Sequence, residues 1–407
     1  MTLGSTDMDA EDRAGTPNDP VWKQFLNLRT TSRAVALAVL ILLGAELAMM
    51  TVVPWFCPEH IYLSIFLSDK EKEKTQLLLV GEDKHYIYDE LLGWRNMPGC
   101  RDGKFRLDEY GARNTREIGL EPGRVNRVLF LGSSLVNGAP HVENWETISA
   151  YIEDSLTESV NFGSMRHSLD QEYLAYKNRL YHFGANVVVV GLPGAPAEGL
   201  NNQYLPFRAQ GAHGMPFLKP RFRLNSDELS LLPLPPKPLH EEYLSNSGLC
   251  RYLKETDDCY PEFGRFQRFG QMPVAGSIWY CSKRMRNLSR LIWGSRESVP
   301  ILKALMRAMV VEGQRHDAAV VFLVLPDRLT AAPGGWRAYL PDHYAGLIAE
   351  LRSEGFEVVD GRKALLSSGQ PLWELYHWDN YHYTSRGNQI IAGSLKAAID
   401  KYLRKSN

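Results

Sequence analysis

Residues 127–138, RVLFLGSSLVNG, join an apolar run of β-forming residues to an abrupt Gly-Ser-Ser sequence. Such a run is typical of a buried parallel strand, and the small residues after it predict a tight turn. Ser134 lies at the mouth of that turn. Open α/β sheets place their chemistry at the carboxyl ends of strands, so Ser134 is a candidate nucleophile. The alternative is an ordinary turn, in which Gly and Ser are also common.

Residues 378–388, WDNYHYTSRGN, place Asp379 three residues before His382 and just ahead of an amphipathic C-terminal pattern. An Asp and a His on one loop can hydrogen-bond, which orients the imidazole and leaves its second nitrogen free to accept a serine proton. The chain therefore carries, in the order Ser134, Asp379, His382, the groups of a catalytic triad. His377 is the rival base, and its alternative role is that of a solvent-exposed side chain.

Alternating strand and helix patterns predict an α/β protein with a parallel sheet and right-handed crossovers. The predicted strands are residues 125–131, 159–161, 186–191, 319–325 and 357–359. The predicted helices are residues 148–156, 170–183, 299–312, 344–353 and 385–402. Five such strands match a flavodoxin-like order, which would bring the ends of the first three strands and the last loop together. A long insertion at about 201–298 interrupts the alternation, and its first part, residues 217–224 and 229–234, predicts a β-hairpin.

The two motif stretches resemble the SGNH (GDSL-type) hydrolase superfamily. In that family the first block reads Gly-Asp-Ser with the serine as nucleophile, and the last block supplies Asp-x-x-His. Gly132-Ser133-Ser134 differs from the first block only at Ser133, whereas Asp379 and His382 match fully. The resemblance spans roughly residues 86–402 and implies an SGNH-type fold with a parallel five-stranded sheet flanked by helices.

The resemblance also implies where an oxyanion would bind. In the family's second block a Gly backbone N–H serves the oxyanion hole, and VNFG at residues 160–163 points to Gly163, beside the N–H of Ser134. The third block, which should carry an Asn, is replaced by LPGAP at residues 192–196. Losing one such donor costs on the order of 10²–10³ in rate. The candidate substitutes are the side chains of Asn201 and Asn202 and the backbone N–H of Gly194.

The chain has 407 residues, of which 44% are hydrophobic and 23% charged, an ordinary composition for one large domain or two small ones. The net charge of −1 gives no support for a nucleic-acid partner. We expect a disordered cytoplasmic tail (1–33), a transmembrane helix (34–53), a stalk with a lead-in segment (54–124) and an SGNH-like domain (125–407). We expect no cofactor, and no Cys-x-x-Cys or His cluster indicates a metal.

Residues 34–53, AVALAVLILLGAELAMMTVV, carry one charge, Glu46, and are long enough to cross a hydrocarbon core of ~30 Å. Lys23, Arg29 and Arg33 precede this run, and no Lys or Arg follows it until after residue 69. The positive-inside rule then predicts a single-pass protein of the inner (cytoplasmic) membrane with a periplasmic C-terminal domain. A cleaved signal peptide is the alternative, but its apolar core would be shorter. Glu46 is either a contact for a membrane partner or a tolerated charge.

Other segments carry weaker signals. Residues 57–80 predict a solvated helical spacer, and residues 86–114 predict a β-rich lid or edge hairpin, in which Arg113 either reaches the site or forms an edge salt bridge. Residues 262–293 are basic and aromatic, which fits either a surface for an anionic glycan or lipid headgroup, or a solvated helix face. Cys250 and Cys259 could close a loop. The remaining cysteines are Cys57, Cys100 and Cys281.

The resemblance and the predicted anchor together imply a protein of the membrane-anchored envelope branch. We expect a serine esterase or O-acyltransferase acting on acyl esters, in the first place acetyl esters, of an envelope polysaccharide or glycolipid. A transferase would also need a membrane partner that donates the acyl group. The alternative is a catalytically inactive SGNH-like protein that binds glycan or acts as a scaffold. Ser133 and Ala195 favour the alternative, and the retained triad opposes it.

Overall fold

The computed structural model describes residues 33–45, 69–122, 124, 126–197, 199–205, 215–226, 228–235, 252–253, 255–257, 298–332 and 342–403. The chain divides into two compact units, residues 1–63 with 268–280 and residues 64–267 with 281–407. In the first unit, residues 33–45 form a helix, α1, whose apolar side chains are exposed. Within the described ranges we find no helix with the length and apolar character that a membrane crossing needs. Residues 46–53 of the predicted span lie outside these ranges.

The second unit contains the remaining described elements. The strands are β1 (Tyr86–Asp89), β2 (Gly93–Asn96), β3 (Arg101–Asp102), β4 (Phe105–Arg106), β5 (Asn126–Gly132), β6 (Thr157–Asn161), β7 (Val187–Pro193), β8 (Arg221–Asn225), β9 (Glu228–Leu232), β10 (Ala319–Leu325) and β11 (Val358–Asp360). The helices are α2 (Asp69–Val80), α3 (Ser134–Asn137), α4 (Leu169–Asn178), α5 (Ser298–Arg315), α6 (Arg328–Ala331), α7 (His343–Ser353), α8 (Gly361–Ser367), α9 (Leu372–Leu375) and α10 (Ser385–Ile399). Short 3-10 helices cover Ala139–His141, Asn144–Glu146, Ala150–Ile152, Leu180–Phe183 and Asp400–Tyr402.

A five-stranded sheet forms the centre of this unit, in the order β11-β10-β7-β5-β6. All four pairings are parallel. With the strands counted along the chain this order is 2-1-3-4-5, so the predicted flavodoxin-like sheet is confirmed. Every residue of β5 and β7 is buried, as expected for strands covered on both faces. Gly132 pairs with Gly191, which places the ends of the first and third strands side by side.

Helices cover both faces of the sheet. On one face the core includes Leu174 of α4, Met306 of α5 and Ile348 of α7. On the other face it includes Leu365 of α8 and Ile391 of α10. The apolar residues of α5, α7 and α10 recur at helical spacing, so each of these helices buries one stripe and leaves its other side in solvent. Helix α4 differs, because its residues 169–176 are all buried. The last helix, α10, begins within the motif of residues 378–388 and packs on this second face.

Two predicted helices are wrong in extent. Residues 148–156 form no α-helix beyond the 3-10 turn Ala150–Ile152, because the Asp154 carboxylate accepts hydrogen bonds from the backbone N–H groups of Leu156 and Thr157 and starts the turn into β6. The predicted helix 170–183 ends as α4 at Asn178, and a 3-10 turn completes it. Local side-chain hydrogen bonds thus override the apolar pattern.

The predicted spacer is helical, as expected, over the part that the structure describes, but it is not solvated throughout. In α2, Leu78 and Leu79 are buried, and Leu78 packs with Trp94 and Phe217. Lys74 forms an ion pair with the buried Asp83 carboxylate. Helix α2 therefore packs within the second unit through its apolar residues, whereas residues 57–68 lie outside the described ranges.

The lead-in segment forms the predicted hairpin, since β1 and β2 pair antiparallel. Trp94 is fully buried, and its indole N–H donates to the Met165 carbonyl at 3.1 Å. The Asn96 side-chain amide donates to the Gly163 carbonyl at 2.9 Å. The lead-in is consequently bound to the loop that follows β6.

The insertion is described only in part. Its predicted hairpin is confirmed, with shorter strands, as β8 paired with β9. The basic aromatic segment 262–293 lies outside the described residues, as do Cys57, Cys250, Cys259 and Cys281. Cys100 is a buried free thiol.

Candidate active site

Ser134 is the first residue of α3, directly after the central strand β5. Two glycines make this turn possible. A Cβ on Gly132, whose φ is +154°, would lie 2.4 Å from Val136 Cγ2, and a Cβ on Gly191 would lie 2.1 Å from the same atom. Because neither glycine has a Cβ, Val136 packs against both strand ends. The chain can therefore turn sharply and present Ser134 at the carboxyl edge of the sheet.

The loop that carries Asp379 and His382 is held at its base by two tyrosines. Tyr376 and Tyr383 form a β-bridge, and both hydroxyls donate to the carbonyl of Pro326, just after β10. Asn380 takes a left-handed conformation with φ +57° at the tip. Pairing at the base and an Asn at the tip constrain the loop between them.

Within this loop Asp379 uses both of its oxygens. Oδ1 accepts the backbone N–H groups of Tyr381 at 2.9 Å and His382 at 3.0 Å. Oδ2 lies 2.6 Å from His382 Nδ1. The turn that Asp379 makes with its own backbone therefore delivers the carboxylate to the imidazole three residues later.

The structure brings all three predicted triad residues together. His382 Nε2 lies 2.9 Å from Ser134 Oγ, although the two residues are 248 positions apart in the chain. With its proton on Nδ1, the ring donates to Asp379, and Nε2 accepts from the serine hydroxyl. This is the arrangement in which a base can activate a serine.

The charge states also suit a base at neutral pH. Burial lowers the pKa of His382, and the hydrogen bond that its ring donates to Asp379 opposes this only in part. Burial acts to raise the pKa of Asp379, but the hydrogen bonds from the His382 ring and from the Tyr381 and His382 backbone hold it at about 2. The carboxylate is thus ionised and the imidazole neutral.

His377, the rival base, stacks on a further histidine, His141, with ring centroids 4.7 Å apart. Burial lowers the pKa of His377. Its Nε2 is buried and has no hydrogen-bond partner among the described residues. The Ser134 hydroxyl hydrogen-bonds to His382 Nε2, so the geometry favours His382 as the base.

His141 is a site residue that the sequence patterns do not reveal. It ends a 3-10 turn on the loop after the nucleophile, and its Nε2 lies 3.3 Å from Asp379 Oδ2. Its ring is 5.1 Å from that of His382. The only sequence signal is its position shortly after Ser134, which is too general to select it.

Of the predicted oxyanion donors, the backbone N–H of Ser134 lies at the start of α3, where the N–H groups have no partner within the helix. The N–H of Gly163 instead donates to Asn161 Oδ1 at 2.9 Å. The carbonyl of Asn201 accepts from Arg221, and the Asn202 side chain donates to the Tyr204 carbonyl. The Gly163 N–H and the Asn202 side-chain amide are therefore engaged with other partners. The backbone carbonyl of Asn201 contacts Arg221 of the insertion. The sequence motif does not mark the Asn161 side-chain oxygen as an acceptor. This oxygen accepts the Gly163 N–H that the motif assigns to the oxyanion hole.

Arg113 neither forms the predicted edge salt bridge nor lies at an edge. It is 1% exposed, and its guanidinium donates to the carbonyls of Asn137, Ala139 and Val142. These three carbonyls belong to the loop after α3. The lead-in thereby fastens the loop that carries His141.

His141, Asp379 and His382 bring their ligating atoms within 4.8 Å of one another, which is close enough to share a cation. Asp379 Oδ2 and His382 Nδ1 are already hydrogen-bonded to each other, and a cation between them would break that bond. We assign no metal to the site.

A cavity of about 790 Å³ lies between the lead-in and the nucleophile strand. Tyr110, Gly132 and Phe162 line it, together with Arg95 and Arg179. Both arginines pair with the buried Asp89 carboxylate of β1. The lead-in therefore forms one wall of a space whose other wall includes the end of β5.

No protein-family model and no curated protein sequence matches the chain. Solved structures do resemble it. An alpha/beta hydrolase enzyme from the metagenome of Lake Arreo covers 70% of this chain and 100% of its own, with 11% identity and a TM-score of 0.36. An acetylxylan esterase from Geobacillus stearothermophilus covers 70% and 99%, with 11% identity and a TM-score of 0.35. A putative G-D-S-L lipolytic protein from Desulfitobacterium hafniense covers 67% and 99%, with 10% identity and a TM-score of 0.33. Scores this low carry no argument about the reaction, which must come from the site.

Proposed function

We propose that this chain is a serine esterase or O-acyltransferase that uses Ser134, His382 and Asp379. The observation that carries the proposal is the continuous hydrogen-bonded chain from Ser134 Oγ through the His382 ring to the Asp379 carboxylate, with distances of 2.9 and 2.6 Å. A scaffold has no physical need for a serine, an imidazole and a carboxylate in this order and geometry. The SGNH-type motifs in the sequence support the same reaction class.

In the proposed reaction, Ser134 Oγ attacks the ester carbonyl while His382 Nε2 removes the hydroxyl proton. The imidazolium that forms is stabilised by the ionised Asp379. His382 then returns the proton to the leaving alcohol, and the acyl group remains on Ser134 as an ester. Water or a second hydroxyl, activated by the same imidazole, releases the acyl group. With water the enzyme is an esterase, and with a glycan hydroxyl it is an acyltransferase.

The second candidate function is a catalytically inactive protein that binds glycan or acts as a scaffold. The observation that favours it is the engaged N–H of Gly163, which leaves Ser134 without its expected second oxyanion donor. Gly194 lies at the same edge of the sheet, where a Cβ would meet Pro326 at 3.0 Å, and its N–H remains a candidate donor beside the Asn201 side chain. Without a second donor the rate would fall by on the order of 10²–10³, which lowers activity but leaves the triad able to react.

We propose an inner-membrane location, with the catalytic unit on the periplasmic side. The support is the apolar run 34–53, the cations before it and the exposed apolar side chains of α1. An enzyme anchored in this way would meet acylated envelope polysaccharides or glycolipids, and a transferase would need a membrane partner as acyl donor. Trp378, beside Asp379, is 84% exposed and offers a flat face on which a sugar ring can stack.

The test is hydrolysis of a short chromogenic acetyl ester by the full-length chain in detergent. We expect turnover by the wild type, loss of activity in Ser134→Ala and His382→Ala, and covalent labelling of Ser134 by a serine-directed phosphonate. His377→Ala is the matched control, since it removes a neighbouring imidazole that does not contact the serine. Equal rates for wild type and Ser134→Ala, with no labelling, would refute the enzyme and leave glycan binding as the function to measure.

A further inference from the structure

The loop after the nucleophile helix carries an imidazole that the triad mechanism does not use. His141 Nε2 lies 3.3 Å from Asp379 Oδ2, the same oxygen that contacts His382 Nδ1. Its ring packs at 4.7 Å on His377 and at 5.1 Å beside His382. Both histidine side chains that reach Asp379 Oδ2 are mostly buried, so water screens their interaction only weakly.

The position of His141 depends on a costly local structure. Ala139 has a φ of +48°, a conformation that residues with a Cβ rarely adopt. The buried guanidinium of Arg113 donates to the carbonyl of Ala139 and to those of Asn137 and Val142. Strain of this kind persists only where the surroundings enforce it, and it clusters at functional sites. The loop is thus built to hold its next residues in one place.

We propose that His141 is a positioning residue that orients the Asp379 carboxylate and keeps His382 unprotonated in weakly acidic surroundings. This inference rests on the proposed function, since it concerns the base of that reaction. His141 does not touch the reacting atoms and acts through Asp379. A site of this kind suits an enzyme that faces a compartment whose pH varies.

The physical argument has two parts. His141 Nε2 lies 3.3 Å from the oxygen that stabilises a proton on His382, so the polar His141 ring competes for the negative charge of that oxygen and weakens the stabilisation. The electrostatic interaction with the His141 ring, whose centroid lies 5.1 Å away, also disfavours a charge on the His382 ring. Both effects make protonation of His382 harder, so the base stays active to a lower pH.

The other charges around the two rings do not supply this effect alone. Asp379 favours a charged His382, whereas Arg166 and His141 oppose it, and burial opposes it most strongly. On the far side of His141, Lys104 donates to its backbone carbonyl at 3.5 Å. His377 is flanked by His141, Asp379, His382 and Lys104. Among these groups His141 combines a contact with Asp379 and proximity to His382.

The experiment compares the pH profile of kcat/KM for the short acetyl ester in wild type and His141→Phe, which keeps a ring but removes the N–H. We expect the acid limb to move up by about 0.5–1 pH unit and the plateau to fall about threefold to tenfold. His141→Gln, which keeps an N–H donor without the charge, should restore the plateau and part of the shift. His377→Phe is the matched control, because the His377 ring also stacks on His141 but makes no ion pair with Asp379 among the described residues. This variant should move the acid limb by less than about 0.2 unit.

A readout that does not need turnover keeps the inference separate from the proposed function. NMR titration of ring-labelled histidine, with His382 assigned by His382→Gln, should show the same upward movement of the His382 pKa in His141→Phe. An unmoved pKa, or a uniform fall in rate with an unmoved acid limb, would overturn the inference. A moved pKa in a protein without esterase activity and without labelling of Ser134 would support the inference and refute the enzyme.

Discussion

Replacing Arg113 by methionine removes the buried guanidinium that ties the lead-in to the loop carrying His141. The guanidinium makes hydrogen bonds to the carbonyls of Asn137, Ala139 and Val142 and to the Asn144 side chain. Methionine fills much of the same volume but donates nothing, so these carbonyls and that of Lys104 lose this donor. Hydrogen bonds from a charged donor are worth about 1.5–3 kcal/mol each, and the cost of burying the guanidinium offsets part of their sum. We therefore expect a net loss of about 3–4 kcal/mol in the free energy of unfolding.

Thermal unfolding in detergent, followed by circular dichroism, measures this loss. For a unit of this size about 3–4 kcal/mol corresponds to a fall of about 4–6 °C in Tm. The freed loop should also displace His141, so kcat/KM for the acetyl ester should fall by about threefold to tenfold, as expected for His141→Phe. The matched control is Arg307→Met, since Arg307 is 60% exposed in its ion pair with Glu354 and should change Tm by less than about 1.5 °C. A Tm for Arg113→Met within that same margin of the wild type would show that these hydrogen bonds do not hold the loop.

Three further predictions concern the triad, an exposed indole beside it and a buried ion pair. Asp379→Asn should lower kcat for the acetyl ester by on the order of 10³–10⁴ with little change in KM, because the amide no longer stabilises the productive tautomer and the imidazolium; a change below tenfold would contradict a triad. Trp378→Ala should raise KM for an acetylated oligosaccharide severalfold and leave the short ester unaffected, whereas Trp373→Ala, at a second exposed indole, should change neither; equal effects of both would argue against a sugar-binding face at the site. Lys219→Met should cost about 3–5 kcal/mol in urea unfolding, because it strands the fully buried Asp170 carboxylate, and adding Asp170→Leu should recover most of that loss; a double variant no more stable than the single one would refute this account.

Much of the fold could be predicted from the sequence, because its signals are local. A run of β-forming residues that ends in Gly-Ser-Ser has few alternatives to a buried strand and a turn, and β10 matches its predicted bounds, Ala319–Leu325. The pairing of Asp379 with His382 is local as well, since a carboxylate that accepts the backbone N–H groups two and three residues ahead already faces that side chain. The wrong helix at 148–156 is instructive, because its apolar pattern suits a helix while Asp154 hydrogen-bonds the following backbone and ends it.

Other features depended on contacts between distant parts of the chain. The patterns marked Ser134 and His382 separately, but only the order of the strands and the packing of α10 bring them to 2.9 Å. The same is true of His141 on Asp379, of Arg113 on the loop after α3, and of the docked helix α2, which reads in the sequence as a solvated run of charges.

The physical reason is the range of the interactions. Strand, turn and helix preferences, and hydrogen bonds between near neighbours, act over a few residues and leave a trace in the order of amino acids. A buried guanidinium, an imidazole beside a carboxylate, or a Gly N–H engaged by Asn161 depends on which surfaces the completed sheet brings together. For this protein, the sequence determined the strands and the three reactive groups, and the tertiary structure decided which neighbours orient them.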